Sequence, residues 1–435
     1  SDWHLGRTFH GRVLDDAHAA FADHLVELVS AESVDAVLVA GDVYDRAIPP
    51  NDAVALLDET LRRLTERTRV VLTPGNHDSA RRLGFAADLM REGLIIRART
   101  TGLDRGIILP DADGNDAAIV HALPYLDPDA AREILPPLLT ERLGEEISAK
   151  HTAGEDQAEN GDVSFQPSPP ERPRLPRSHE AVVSAALRLV AADLDRLRSA
   201  RSRRLPSLLM AHAFVVGGEA CESERDIRVG GVDSVPSGVF TTLGGSPLAE
   251  RSGGLDYVAL GHLHRPQELT RPTGPRLVYS GSPLPFSFDE AEGARNSATK
   301  SSVLLDLSAD GVTGLERIPT PVLHQVRTLT GTMPELLSPA FDDATGAWVR
   351  VILQGEQPPG ALATLKERFP SLLAFQHEAP TRTARERITV TTAADPLRIT
   401  GDFFDDVCGR APEPSERSVL RSAYESALAS ERSER

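Results

Sequence analysis

The chain predicts an α/β fold: a largely parallel sheet with helices outside, then a small α+β module and C-terminal helices. Three observations carry this. Over residues 1–125, apolar runs of strand length alternate with amphipathic helical stretches, the rhythm of βαβ units. Several of those runs stop at Gly, Asp, Asn or His, and open α/β sheets bind ligands at the carboxyl ends of their strands. At 435 residues the chain exceeds what a single core supports, so two or three domains are expected.

Composition narrows the function classes. A hydrophobic content of 40% suits a globular protein. No apolar run approaches the roughly 20 residues of a membrane span, so no membrane partner is expected. The net charge of -17 argues against a uniformly basic nucleic-acid surface. It leaves a nuclease open, because carboxylates that hold cations are locally neutralised. Cys221 and Cys408 are the only cysteines, which predicts no disulfide framework and a reducing, cytoplasmic location. Asp2 follows the first residue at once, so the strand that should deliver it is expected ahead of Ser1. A removed signal peptide is compatible with the same start.

The elements follow in order. Asp16–Ser30 places Phe21, Leu25, Leu28 and Val29 on one helical face. Ala36–Ala40 reads as a buried strand. Asn51 is the expected cap of a helix through Thr65, with Val54, Leu57, Leu61 and Leu64 inward. Arg69–Thr73 is a strand stopped by Pro74, and shorter strands fall at Leu94–Arg97, Gly106–Leu109 and Ala117–His121. Residues 141–177 are polar, with five prolines between Pro167 and Pro176, and predict a disordered surface loop. Ser178 caps a helix to about Ala200. It ends in Arg196, Arg198, Arg201, Arg203 and Arg204, read as a solvated helix end rather than a phosphate site.

Strands at Ser207–His212, Asp256–Leu260, Leu277–Ser280 and Val303–Leu307 complete the sheet. Beyond Pro319, strand-like Val322–Leu329, Trp348–Leu353 and Leu373–His377 alternate with short helical segments, Glu335–Leu337 and Ala361–Phe369. Two short helices close the chain, one with Phe403, Phe404 and Val407, the other with Val419, Leu420, Tyr424 and Leu428. The expected domains are 1–318, 319–395 and 396–435, with the 141–177 loop inside the first.

The chemistry gathers where strands end. Gly-Asp-Val-Tyr-Asp (Gly41–Asp45) follows the strand at Ala36–Ala40. Asp2 and His4 lie upstream, and Gly75–Asp78 (GNHD), His212, His262 and His264 lie downstream. A lone Asp at a turn is usually a cap, and a lone His-X-His is usually incidental. Five such motifs in order, each at a strand end, are not. The candidate ligands are Asp2, His4, Asp42, Asn76, His212, His262 and His264: two carboxylates, an amide oxygen and four imidazoles. Without a thiolate the set suits Mn²⁺, Fe or Zn²⁺. Seven ligands exceed the need of one ion but serve two if a carboxylate bridges. Paired metals form the clamp for in-line displacement at phosphorus. The remaining histidines (His10, His18, His24, His121, His151, His179, His324, His377) are assigned structural or surface roles.

This ordered set resembles the calcineurin-like metallophosphoesterase superfamily. More narrowly, Ser1–Gly6 (SDWHLG), Glu224–Pro236 (ERDIRVGGVDSVP) and Tyr279–Glu290 (YSGSPLPFSFDE) resemble the bacterial SbcD nuclease subunits. The resemblance is strong over the metal motifs and weak over the last hundred residues. It implies a phosphoesterase sandwich in which Asp2, His4, Asp42 and His264 hold one Mn²⁺. Asp42 bridges to a second Mn²⁺ held by Asn76, His212 and His262, and other divalent metals are compatible. His77 would stabilise the transition state or protonate the leaving 3′ oxygen. Asp45 and Asp78 would orient imidazoles, although Asp78 serves equally as a turn residue. It further implies cleavage of double-stranded DNA ends and hairpins by a homodimer within a heterotetramer that includes an SbcC-like coiled-coil ATPase. The 319–395 module would face DNA and the C-terminal helices would bind the ATPase. Two other classes stay open: a phosphoesterase for a small nucleotide or phosphoprotein, and an inactive scaffold of the same fold. The C-terminal extension argues against the first and the complete ligand set against the second.

Overall fold

A computed structural model describes residues 1–90, 93–144, 174–224, 234–269, 273–291, 300–378, 397, 399–401, 403–404 and 410–433. A short hairpin, β1 (Thr8–Phe9) and β2 (Arg12–Val13), precedes α1 (Asp15–Ala31), β3 (Ala36–Ala40), α2 (Asn51–Thr65), β4 (Arg69–Thr73), α3 (Ala80–Leu83) and β5 (Leu94–Ile96). β3, β4 and β5 form a three-stranded parallel sheet in that order. Then come β6 (Ile107–Pro110), β7 (Asp116–Ala122), α4 (Pro128–Leu143), α5 (His179–Ser199), β8 (Ser207–His212), β9 (Tyr257–Gly261), β10 (Gln267–Leu269) and β11 (Arg276–Tyr279). These strands make a second sheet, ordered β10-β11-β9-β8-β7-β6. Its inner pairings are parallel and its two edge pairings antiparallel.

The one sheet that strand periodicity suggested is two sheets, as the sandwich implied by the resemblance requires. Period-2 alternation explains how they pack. Val120, Leu208, Met210, Tyr257 and Val278 turn inward and meet Ala40 and Val71 of the first sheet. Ile119, Leu209, Ala211, Val258 and Leu260 turn outward against α4 and α5. On the other side Phe21, Leu25 and Val29 of α1 and Leu57 and Leu64 of α2 cover Val39, Val70 and Leu72. The result is a helix–sheet–sheet–helix sandwich. A cavity of about 450 Å³ lined by Val37, Leu38, Tyr257, Ala259 and Val303 lies between the sheets, and Ala36–Leu38 stay only half-buried beside it. The strand expected ahead of Asp2 lies outside the described residues.

Several local expectations need correction. α2 starts from Pro50, not from an Asn51 cap, and its buried face is Ala53, Leu57, Thr60 and Leu64. Val54 faces solvent, 43% exposed. Residues 128–143, assigned no element from the sequence, form α4. Asp127 caps it by accepting from Asp129 N and Ala130 N, and Gly144 ends it in the left-handed region. Pro136 and Pro137 sit inside this helix. The disordered loop expected at 141–177 is therefore too long at both ends. Residues 141–143 belong to α4, and Leu175 is buried in the core with α5. Residues 145–173 lie outside the description. Ser178 caps α5 as expected, accepting from Ala181 N.

Of the arginines at and after the end of α5, Arg196, Arg203 and Arg204 are exposed, as a solvated helix end requires, but all five bond to protein acceptors and Arg198 is largely buried. Arg198, 10% exposed, donates to the carbonyls of Leu205, Ser252 and Gly254 and to Asp256. Arg204 reaches both oxygens of Asp256 at 2.7 and 2.9 Å. Arg196 pairs with Asp193, Arg201 with the Asp116 carboxylate, and Arg203 with the Asp116 carbonyl.

Val303–Leu307 is likewise not part of the second sheet. β12 (Ser301–Ser308) and β13 (Gly311–Pro319) form their own antiparallel ribbon, which packs Val303, Leu305 and Leu315 onto the inter-sheet core. β14 (Val326–Gly331), β15 (Trp348–Gln354) and β16 (Leu372–Glu378) then build a three-stranded parallel sheet. It has a separate core of Leu329, Leu336, Val349, Val351, Leu353, Leu365 and Phe369. Trp348 and Val326 join it to Phe9, Leu284, Phe286 and Phe288. Residues 379–435 form a second compact unit. In it Pro414–Ser433 is one helix of 20 residues rather than a short one. The expected helix around Phe403–Val407 falls largely outside the described residues.

Candidate metal centre

The site is built where both sheets end. β3 delivers Gly41–Asp45, β4 delivers Gly75–Asp78, β8 ends in His212, and β9 leads into His262 and His264. Asp2 and His4 are drawn alongside through the backbone. The N–H groups of Asp2, His4 and Leu5 donate to the carbonyls of Gly41, Asp42 and Val43 at 3.0, 3.0 and 2.9 Å. Asp2, His4, Asp42 and His262 have φ of 55, 46, 48 and 106°. Left-handed backbone costs a non-glycine residue about 1–3 kcal/mol, and here four such residues point side chains at one place. Gly75 allows the approach: a Cβ there would lie 2.1 Å from Asp42 Oδ1.

All seven expected ligands converge, and Asp2, His4, Asp42, His212, His262 and His264 are buried. Asp42 stands between two groups: its Oδ2 lies 3.6 Å from His4 Nε2 and 3.4 Å from His212 Nε2. On one side, His4 Nε2 and His264 Nε2 are 3.1 Å apart and cluster with Asp2. On the other, Asn76 Oδ1 lies 2.9 Å from His212 Nε2 and 3.3 Å from His262 Nδ1, and Asp2 and Asp42 cluster with His212. The His262 N–H donates to both oxygens of Asp2, at 3.0 and 3.2 Å.

Burial drives His4 well below the ordinary imidazole range and His262 down to about 3, so both are neutral, the ligand form. His212 moves the other way. Burial opposes its charge, but the facing Asp42 carboxylate raises it to about 9. Burial likewise pushes Asp42 up, and His212 more than offsets this, holding Asp42 well below the carboxylate range.

These residues fit divalent cations. Two imidazole nitrogens 3.1 Å apart accommodate one proton between them, whereas a cation uses both lone pairs. Asn76 turns its Oδ1 towards His212 and His262, acceptor towards imidazole nitrogens, as a shared cation requires. The donors are oxygen and nitrogen throughout, the set of a borderline-hard divalent metal.

The three residues expected beside the ligands are also here. His77 is half-buried. Its N–H donates to Asp42 Oδ1 at 2.8 Å, its Nδ1 lies 2.7 Å from the Asp45 carbonyl, and its ring meets that of His4 edge-on at 4.7 Å. His77, His4 and Asp45 form a further cluster of possible ligands. Asp45 Oδ1 lies 3.6 Å from His4 Nδ1. Asp78 accepts from the N–H groups of Val43, Tyr44 and Gly75. Of its two expected readings, these contacts are those of a turn residue: it ties the loop after β3 to the loop after β4. Burial and the nearby Asp42 charge raise its pKa to about 6 despite three donors. Sequence reasoning passed over Glu224, which accepts the His264 N–H at 2.7 Å, and Arg7, 3.3 Å from Asp45. Glu224 opens one motif that carried the resemblance and Arg7 directly follows another, and neither residue type announces a contact 38 or 40 residues away.

Comparison with known proteins agrees with the geometry. Residues 1–128 match the model of the calcineurin-like phosphoesterases. The chain is 35% identical over 399 residues to the SbcD component of the SbcCD nuclease of Rhodobacter capsulatus, covering 86% of this chain and 85% of that protein. With a sandwich of the expected class and a buried oxygen–nitrogen donor set at its strand ends, the chain belongs to the SbcD nuclease-subunit family of calcineurin-like phosphoesterases.

Proposed function

We propose that the chain is the nuclease subunit of a DNA-processing complex and hydrolyses phosphodiesters with two divalent cations, Mn²⁺ by preference. One observation carries the two-metal reading: Asp42 Oδ2 lies within 3.6 Å of an imidazole from each ligand group. Asp2, His4, Asp42 and His264 would hold one ion, and Asp42, Asn76, His212 and His262 the other. When bound, the pair supplies Lewis acidity at phosphorus and activates water. The chain's own part is to fix that pair and the phosphate. Asp45 orients His4. Asp78 holds the two ligand loops together. His77 stabilises charge on the phosphoryl oxygens or donates a proton to the leaving 3′ oxygen. Its half-exposed place beside His4 supports that role.

The relative's name speaks of a two-part nuclease. The family resemblance of the motifs supports the finer assignments: double-stranded DNA ends and hairpins as substrate, a coiled-coil ATPase as partner and a homodimer within the assembly, and the two cysteines support a cytoplasmic location. No helix among the described residues is long and apolar enough to cross a membrane. Residues 1–318 would be the nuclease domain, 319–395 the DNA-facing cap and 396–435 the partner-binding segment. Val419, 68% exposed on the terminal helix, supports the last assignment, since an apolar stripe docks in a partner's groove. Removing residues after Pro412 is expected to keep Mn²⁺-dependent nuclease activity and abolish co-purification with the ATPase. A truncated subunit that unfolds, or still co-purifies, overturns it. The function itself is tested with hairpin and blunt-ended DNA beside a small p-nitrophenyl phosphodiester, with Mn²⁺, with and without the ATPase. Cleavage of the small ester alone favours a small-molecule phosphoesterase, and cleavage of neither favours a scaffold.

A further inference from the structure

Behind His264 lies a buried polar network unlike anything else at the site. Glu290 and Lys300 are 1% and 5% exposed and form an ion pair. Glu290 Oε1 accepts from Ser287 Oγ at 2.8 Å, from Phe286 N at 3.2 Å, and from Ser223 Oγ. Its Oε2 accepts from Lys300 Nζ and Ser282 Oγ. Lys300 Nζ also donates to the His264 carbonyl at 2.7 Å and to Ser282 Oγ at 2.8 Å. Ser223 Oγ lies 2.6 Å from His264 Nδ1.

The direction of these bonds is determined. Phe286 N and Lys300 Nζ, which can only donate, both reach Glu290, and its carboxylate, ion-paired with Lys300, only accepts. Ser223 must then spend its one hydroxyl proton on Glu290, and its oxygen can only accept from His264. That requires the proton of His264 on Nδ1 and leaves a lone pair on Nε2. Nε2 is the atom that faces His4 and the metal cluster.

We propose that Glu290, acting through Ser223 and balanced by Lys300, is a positioning device that sets the tautomer and orientation of His264 for metal binding. The proposal rests on the reading of His264 as a metal ligand. Outer partners of ligating histidines fix the ring tautomer, and losing them typically weakens metal binding about 10–100-fold. Lys300 serves twice: it compensates a carboxylate that burial would otherwise penalise, and it anchors the backbone of the residue whose side chain Glu290 directs. Without Ser223 the Nδ1–H loses its near acceptor, the next being Glu290 Oε1 at 3.6 Å, and the proton is held less firmly away from Nε2, where it would oppose a cation.

The test uses the full-length protein stripped of metal and titrated with Mn²⁺ by calorimetry, with ¹⁵N-histidine spectra of the metal-free state. Ser223→Ala is expected to lose the Nδ1–H signature of His264 and to raise the Kd of one Mn²⁺ about 10–100-fold at an unchanged melting temperature. Glu290→Gln breaks a buried pair and can unfold the chain, so the Glu290→Gln, Lys300→Met double variant replaces it and is expected to show the same loss. Parental Mn²⁺ affinity in Ser223→Ala overturns the device. His264→Ala separates this from failure of the underlying reading: if it too binds two Mn²⁺ as the parent does, His264 is no ligand.

Discussion

Two concentrations of charged and titratable side chains stand out in this chain, and they came to opposite ends. The five arginines at and after the end of α5 are consumed by the fold. Arg198 alone reaches three carbonyls and Asp256, Arg204 shares Asp256, Arg201 and Arg203 share Asp116, and Arg196 pairs with Asp193. The group at the ends of β3, β4, β8 and β9 is the reverse. Its nitrogens and carboxylates face one another across 3–4 Å, and the facing nitrogens of His4 and His264 accommodate only one proton between them. Density of charge is thus no guide to function. What separates the clusters is whether the protein itself satisfies the groups: a satisfied cluster is architecture, and a convergent, incompletely satisfied one is held for something else.

The sharpest way to break this contrast is Asp42→Ala. Removing the carboxylate shared by both ligand groups is expected to abolish paired metal binding and lower DNA cleavage on the order of 10³-fold or more, a loss of several kcal/mol in transition-state stabilisation. Normal cleavage with two Mn²⁺ bound would show that Asp42 does not bridge. His77→Ala should keep both ions and lose roughly 10²-fold in rate. Loss of metal as well would make His77 a ligand.

Arg198→Met asks the converse. It strips four acceptors of a buried donor, and Asp256 keeps Arg204 and the Ser207 N–H. We expect a stability loss of about 2–3 kcal/mol with Mn²⁺ affinity and cleavage unchanged in the folded fraction. A selective loss of activity would mean the cluster is functional after all.

Removing metal exposes the other side of the contrast. His212 is raised to about 9 by Asp42 in the metal-free protein, above its unfolded value near 6.5. Its contribution to stability is therefore fully present below pH 6.5 and fades as pH rises towards 9. His262, lowered to about 3 by burial, acts oppositely, contributing above pH 6.5 and losing that contribution as pH falls. Thermal melts of chelated protein should decline on both sides of pH 6.5. With Mn²⁺ bound, His212 must be neutral and the alkaline decline from pH 6.5 to 9 should flatten. Identical profiles with and without metal would remove His212 from the site. The smallest effect is expected from Arg201→Ala. Its pair with half-exposed Asp116 is worth about 1 kcal/mol or less, and a larger shift in melting temperature would show that the exposed rim of the cluster also bears on the fold.

Much of this was legible in the chain itself. The strands Ala36–Ala40, Arg69–Thr73 and Ser207–His212 and the helix Asn51–Thr65 appear with the ends read from the sequence, because apolar periodicity is a local signal. The seven candidate ligands were singled out by similar signals: Asp42, Asn76, His212, His262 and His264 lie at or just beyond the ends of apolar strands, and the ordered motifs that include Asp2 and His4 carry the family resemblance. Local rules also failed where contacts outvoted them. Pro136 and Pro137 hid α4, which buries Leu135 and Leu139 completely. Val54 lies outside because the core contact set the rotation of α2. Periodicity did not show how the parallel strands divide into two sheets, which only the resemblance implied, since pairing between distant strands is not encoded in either strand. Tertiary structure alone brought His4 to His264 across 260 residues and gave the arginines their acceptors. It also placed Glu290 and Lys300 behind a histidine they do not adjoin in sequence. Strand and helix are dictated by a residue's neighbours along the chain, whereas the satisfaction of a buried polar group depends on neighbours in space.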